Sequence, residues 1–238
     1  MKLDYNYKDN DFVSIGDNGV TLQYYKRWWN KGMGFGQGFI SPDKQYFYLN
    51  IPKNASSSIK KILAPLDWEF GNIYDYPTAQ VIIILRDPID RWVTGITEFL
   101  LMYHQDTVCK IVEPNIYDWY PLLGESLGMS LLFDTMTFDD HTERQAMFLQ
   151  NIEFSRCIWL KLDSNLNANF EKLLNEIGYA TDTEGVRENS SDAANCDDRQ
   201  TLNHCFKYVL LRDIAKAYNL KQWFWCDYEL MEQVKFYE

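Results

Sequence analysis

The chain has 238 residues, 46% of them hydrophobic and 16% aromatic, which is enough for one α/β domain with a substantial core and too apolar for a disordered segment. Its net charge of −11 disfavours nucleic acids and heavily sulfated polyanions as partners, because long-range repulsion opposes encounter. No stretch approaches the roughly 20 apolar residues of a membrane span, and the start Met1-Lys2-Leu3-Asp4-Tyr5 lacks the apolar region of a signal peptide, so a cytoplasmic protein is expected.

Residues 1–44 are rich in Tyr, Trp, Gly and Asn and are expected to form an irregular or short-strand cap. Within them, Tyr24-Tyr25-Lys26-Arg27-Trp28-Trp29 reads either as a stacking surface for a sugar or as packing against a sheet. Tyr46-Phe47-Tyr48-Leu49-Asn50-Ile51 reads as a buried strand, Pro52-Lys53-Asn54-Ala55 as a short polar loop, and Ser56-Ser57-Ser58 as a helix start. That helix, 56–63, gathers Ile59, Ile62 and Leu63 on one face and stops at Pro65. A helix start is a ready anion site, because its first N–H groups lack intrahelical partners and the macrodipole is positive there. Three hydroxyls at the same place add donors. The connector 66–80 holds a short strand at Asp67-Trp68-Glu69-Phe70.

Val81-Ile82-Ile83-Ile84-Leu85 is an uninterrupted apolar, mostly β-branched run, the pattern of a parallel strand buried on both faces. Asp87-Pro88 then supplies an N-cap and a first helical residue, which leaves Arg86 at the strand's carboxyl end, where open α/β sheets bind ligands. The helix from Pro88 to about His104 carries Trp92, Ile96, Phe99, Leu100 and Tyr103 at helical spacing. Thr94 lies two turns in, and Arg91 is set to pair with Asp87 at i,i+4.

Residues 105–138 are a mixed insertion, and Asp139-Asp140-His141-Thr142-Glu143-Arg144-Gln145 is expected to open another helix. Ile158-Trp159-Leu160-Lys161-Leu162 is a further strand, capped into a helix at Asp163/Ser164. That helix bears Leu166, Phe170, Leu173, Leu174 and Ile177 and ends at Gly178. The polar stretch 181–200 reads as a lid or mobile loop, and a helix from about Thr201 to Tyr218 closes the chain. The expected fold is α/β, a single domain with a P-loop-like central parallel sheet flanked by helices. Five Cys (109, 157, 196, 205 and 226) form no Cys-x-x-Cys pair and are expected as free thiols.

The loop at Lys53 differs from a Walker loop, which needs glycines and a Lys directly before Ser/Thr. Its wording, Ile-Pro-Lys-Asn-Ala-Ser after an aromatic-aliphatic strand, resembles the 5′-phosphosulfate loop of sulfotransferases that use 3′-phosphoadenosine 5′-phosphosulfate (PAPS), the carbohydrate-type enzymes above all. Arg86-Asp87-Pro88-Ile89-Asp90-Arg91-Trp92-Val93-Thr94 resembles the same family's 3′-phosphate motif, with Thr94 in place of the usual Ser. The resemblance covers about residues 45–100, and more weakly 139–178. It implies a soluble bacterial or viral relative that moves a sulfuryl group to an acceptor hydroxyl, of a carbohydrate before a lipid or small metabolite, with PAPS as donor and no metal. It implies no membrane span and no nucleic-acid partner, and leaves the oligomeric state open.

The resemblance also implies roles. Lys53 would stabilise charge on the bridging oxygen of the leaving phosphate. Asn54, Ala55, Ser56, Ser57 and Ser58 would hold the 5′-phosphosulfate, and Arg86 and Thr94 the 3′-phosphate. Arg187 and Ser190, in the late loop, would cover the donor, or else belong to a solvated loop. The base that takes the acceptor's proton could be an imidazole at His104, His141 or His204. His141 leads, because His-x-x-x-Gln resembles a segment of carbohydrate sulfotransferases; Glu69 is its rival and Glu98 a third option. The alternatives are a P-loop-type nucleotide or sugar kinase and a non-catalytic nucleotide-binding domain.

Overall fold

The structure, a computed structural model, describes residues 35–103, 136–180 and 197–238. The expectations for Tyr24–Trp29, for residues 105–135 of the 105–138 insertion, for residues 181–196 of the expected loop with Arg187 and Ser190, and for His104 lie outside the described residues.

Five strands, β1 (Gln37–Ile40), β2 (Tyr46–Leu49), β3 (Glu69–Asn72), β4 (Gln80–Leu85) and β5 (Cys157–Lys161), form one sheet in the order β3-β1-β2-β4-β5. β2 pairs parallel with β4, and β4 with β5; β1 pairs antiparallel with β2 and with β3. The sheet is therefore mixed, and the expectation of a parallel sheet holds only for β2-β4-β5. The reason is local. Ser41–Gln45 is too short for a crossover, so β1 and β2 must close as a hairpin.

β4 behaves as its composition demands. Val81, Ile83 and Leu85 pack into one core with Phe47, Leu49, Phe148, Leu149 and Leu230, while Ile82 and Ile84 pack on the other face with Ile59, Ile62, Leu63, Phe170 and Leu174. The second face is covered by α1 (Ser56–Leu63); the helix α2 (Pro88–Tyr103) follows β4. α3 (Leu166–Glu176) joins α1 there, and Gly178 ends it at φ 89°. α4 (Asp197–Arg212), α5 (Ile214–Trp223) and α6 (Trp225–Gln233) complete the chain. Trp92, Ile96 and Phe99 of α2 meet Leu202 and Phe206 of α4 and Leu220 of α5 in a separate core.

Three expectations change here. Residues 139–145 form no α-helix: the Asp139 carboxylate accepts the backbone N–H groups of His141 (3.0 Å) and Thr142 (3.2 Å), offering the backbone an alternative to the helical ladder. A buried 3-10 turn, Gln145–Leu149, follows instead. Residues 197–200 belong to α4 rather than to a loop. The expected helix 201–218 is broken at Asp213, whose side chain caps α5 by accepting the Lys216 N–H at 3.1 Å. Among the described residues no helix is long and apolar enough to cross a membrane, and Cys157, Cys205 and Cys226 are free thiols.

Gly95 allows the turn at 139–142 to lie against α2, since a Cβ there would sit 2.1 Å from the His141 carbonyl oxygen. Ala ordinarily favours a helix over Gly by about 1 kcal/mol, but here the clash is with backbone. Gly95→Ala is expected to destabilise by about 1–3 kcal/mol, the range for overpacking, in urea denaturation; a variant as stable as the parent would contradict this packing.

Candidate functional site

The loop between β2 and α1 is held from behind. Asn54 is fully buried, and its Nδ2 donates to the Ile84 carbonyl (2.7 Å) and to Gln145 Oε1 (2.6 Å). Gln145 Oε1 also accepts the Arg86 N–H (2.9 Å), and Gln145 Nε2 donates to the Arg86 carbonyl (2.8 Å). Asp227, itself buried, accepts the backbone N–H groups of Gln145 (2.9 Å) and Ala146 (2.8 Å). Arg91 completes the frame. It is buried, donates to the carbonyls of Pro52 (2.9 Å), Asp140 (2.9 Å) and Glu143, and lies over the Phe148 ring. Burial, only partly offset by Asp227 and its neighbours, lowers its pKa to about 10. Arg91 is thus structural, as a clamp on three carbonyls rather than through the expected Asp87 pair.

Asn54, expected to hold the 5′-phosphosulfate, is not among the cavity-lining residues. Its side chain is a latch, and its N–H donates to the Ile51 carbonyl at 3.2 Å, so neither donor faces a ligand. Lys53 and Ala55 adopt φ values of 68° and 60°, a left-handed region that costs non-glycine residues about 1–2 kcal/mol each. Ala55 is the N-cap of α1 without a side-chain cap, so the serine run is not explained by capping. Strain of this kind in a loop facing a cavity is an observation from which a functional reading can start.

That cavity has a volume of about 670 Å³, within the range of small-molecule sites. Lys53, Ala55, Ser56, Ser57, Ser58, Arg86 and Thr94 line one side. Asp87, Asp90, Leu162 and Asp163 continue the wall, and Arg199, Gln200, Asn203, His204 and Lys207 of α4 close it. The Lys53 ammonium sits 3.2 Å from Glu98, and Glu98 is 2.7 Å from Arg199. Burial lowers the Lys53 pKa despite the carboxylate, whereas at Glu98 the two cations outweigh burial and lower the pKa. Arg86 donates to the Lys53 carbonyl (3.2 Å), which ties the guanidinium to the loop. The Thr94 hydroxyl donates to the Asp90 carbonyl (2.9 Å), leaving its lone pairs, not its proton, for a ligand. Asp90 and Lys207, both lining the cavity, pair at 2.9 Å.

Three of the base candidates, Glu69, His141 and Glu98, are not among the residues that line the cavity. Glu69 lies on the edge strand β3, opposite Ile40 and so at the far end of the sheet, 70% exposed and paired with Lys44 at 2.6 Å. It cannot serve this site. His141 is not among the lining residues. Its Nδ1 lies 2.9 Å from Asp139 and 3.1 Å from Asp140. Burial pushes its pKa down, but hydrogen bonding and attraction from both carboxylates win and raise it to about 9. At neutral pH it already carries its proton, which does not suit a base. Asp139, Asp140 and His141 bring three ligand-type atoms within 4.8 Å of one another, a metal-like grouping that the sequence spacing did not reveal, although hydrogen bonds inside the cluster already engage both Asp139 oxygens.

Of the α4 residues that line the cavity, Arg199, Gln200, Asn203 and Lys207 were missed from sequence, while His204 stood among the base candidates. Arg199, Asn203 and Lys207 recur at i, i+4 and i+8, on the face beside the one that buries Leu202, Phe206 and Val209. That polar stripe was available in the sequence; its proximity to Lys53 was not. No family model, curated protein or solved structure matches the chain.

The His141 pair gives stability a defined pH window. Its folded pKa of about 9 stands above the ordinary 6.5, so the stabilisation is fully present below pH 6.5 and is lost as pH rises through 9. Denaturant titrations of the parent and of His141→Asn between pH 6 and 10 should converge as pH rises; parallel profiles would show that the carboxylates do not hold an imidazolium.

Proposed function

We propose that the protein is a PAPS-dependent sulfotransferase that transfers a sulfuryl group to an acceptor hydroxyl, of a carbohydrate by the family resemblance. The observation that carries the reading is that Lys53, the Ser56–Ser58 helix start, Arg86 and Thr94, the two stretches that resemble the donor-binding motifs, line one cavity of about 670 Å³. A donor with a phosphosulfate at one end and a phosphate at the other needs cationic or N–H groups at two places. Lys53 with the start of α1, and Arg86 at the end of β4, supply them.

In the reaction the acceptor oxygen forms a bond to sulfur while the bond from sulfur to the bridging phosphate oxygen breaks, its electron pair staying on that oxygen. The Lys53 ammonium stabilises the charge growing there, as preorganised cations do in the related phosphoryl transfers. Ala55–Ser58 orient the phosphosulfate, and Arg86 the 3′-phosphate. The acceptor's proton goes to His204, the described histidine that lines the cavity. Three carboxylates on the same wall, Asp87, Asp90 and Asp163, support a second reading, a kinase acting on a Mg²⁺-nucleotide.

Thermal melts separate the two. Adenosine 3′,5′-bisphosphate at about 100-fold over its Kd should stabilise by about 2.7 kcal/mol, a rise of roughly 5–10 °C for a chain of this size, and ATP with Mg²⁺ by much less. An equal or larger response to ATP with Mg²⁺ favours the kinase. In a sulfate-transfer assay across saccharide, lipid and small-molecule acceptors, Lys53→Ala should lose on the order of 10²–10³ in rate; an undiminished rate removes Lys53 from the mechanism. His204→Gln should cut kcat by roughly 10²-fold or more, with donor binding unchanged; full activity would exclude His204 as the base.

A further inference from the structure

We propose that Glu98 is a positioning residue for the cavity, dividing its one carboxylate between Lys53 of the β2–α1 loop and Arg199 of α4 so that both cations are held against one wall. The geometry carries this. Glu98 lies 3.2 Å from the Lys53 ammonium and 2.7 Å from the Arg199 guanidinium. Lys53 and Arg199 line the cavity and Glu98 does not, so the carboxylate stands behind the two groups it joins. All three side chains are mostly covered, at 13%, 15% and 19% exposure for Lys53, Arg199 and Glu98, so screening by water is weak.

Two like charges brought this close in a covered site repel and resist ionisation. Without Glu98, burial and Arg199 would both act against the charged form of Lys53. Glu98 also connects parts that share no strand: the loop after β2, helix α2 and the first turn of α4. The other charged groups facing this cluster are Asp139, which acts on Lys53, and His141, which acts on Glu98. Arg86 reaches the Lys53 backbone from the end of β4. The spacing of Thr94 and Glu98 on α2 places Glu98 one turn beyond a residue that lines the cavity.

The inference rests on the reading of the cavity as an anion site, but its test needs no donor, so it can fail while that reading survives. Titration of the Lys53 side-chain ammonium is followed by NMR of ¹³C-lysine-labelled protein, with Lys53→Arg used to assign the signal. In Glu98→Gln the midpoint is expected to move down from the parent value, because the attractive carboxylate is gone while burial and Arg199 remain. In Arg199→Gln it is expected to move up. A variant that merely loosened the fold would expose Lys53 and raise its midpoint in both cases, so the downward shift in Glu98→Gln is the result that a purely structural role does not give. An unchanged or raised midpoint in Glu98→Gln would overturn the proposal, whatever the outcome of the donor-binding melts.

Discussion

The buried amide of Gln145 is the contact on which the rest of the site depends. The paired register between β2 and β4 runs from Tyr46 opposite Gln80 to Tyr48 opposite Ile82, so the ladder ends before either strand reaches its functional residue. Beyond that point the two ends are tied by side chains: Gln145 bonds both backbone groups of Arg86 and also receives Asn54. Each such bond contributes only about 1 kcal/mol net, yet leaving one buried partner unmatched costs about 1–3 kcal/mol. A network of this kind therefore tolerates few intermediate arrangements. The opening between the strand ends, where α/β sheets bind ligands, is set by amides rather than by the sheet.

Arg91 and Asp227 extend the same logic. An arginine whose guanidinium spans three main-chain carbonyls, and an aspartate that caps two main-chain N–H groups, bind loop to loop through backbone atoms. Such contacts fix where the backbone runs and place few demands on neighbouring side chains. They leave Lys53 and Ala55 in left-handed conformations whose cost the surrounding frame must offset.

The cavity's electrostatics follow from an acidic chain building a local cationic wall. With a net charge of −11, long-range attraction for an anion is absent, so affinity must come from close-range groups. The cations are each set near carboxylates: Lys53 and Arg199 on Glu98, Lys207 on Asp90, and Arg86 in the field of Asp87 and Asp90. An incoming anion therefore competes with fixed carboxylates, a balance that favours a ligand presenting charge at defined points over one that is merely strongly charged.

Much of this was legible in the residue order. The unbroken run Val81–Leu85 could only be a strand covered on both faces, the Asp87-Pro88 pair had to start a helix, and the apolar spacing after Ser56 and Leu166 defined α1 and α3, because periodicity and capping are local. A short strand before Ser41 was among the readings, but not its pairing into the sheet, since a four-residue strand with a glycine carries little periodic signal. The 139–145 segment was misread because the Asp139 side chain competes with the helix it was expected to begin. What sequence alone determined was the local chemistry of two strand ends, a lysine loop before a helix start and an arginine before a capped helix. Only the tertiary structure decided that they face one cavity, that Glu69 stands at the wrong end of the sheet, that two aspartates pair with His141, and that α4 brings further cations to the same cavity. Each of those depends on contacts between residues far apart in the chain, and such contacts leave no spacing pattern in the sequence to read.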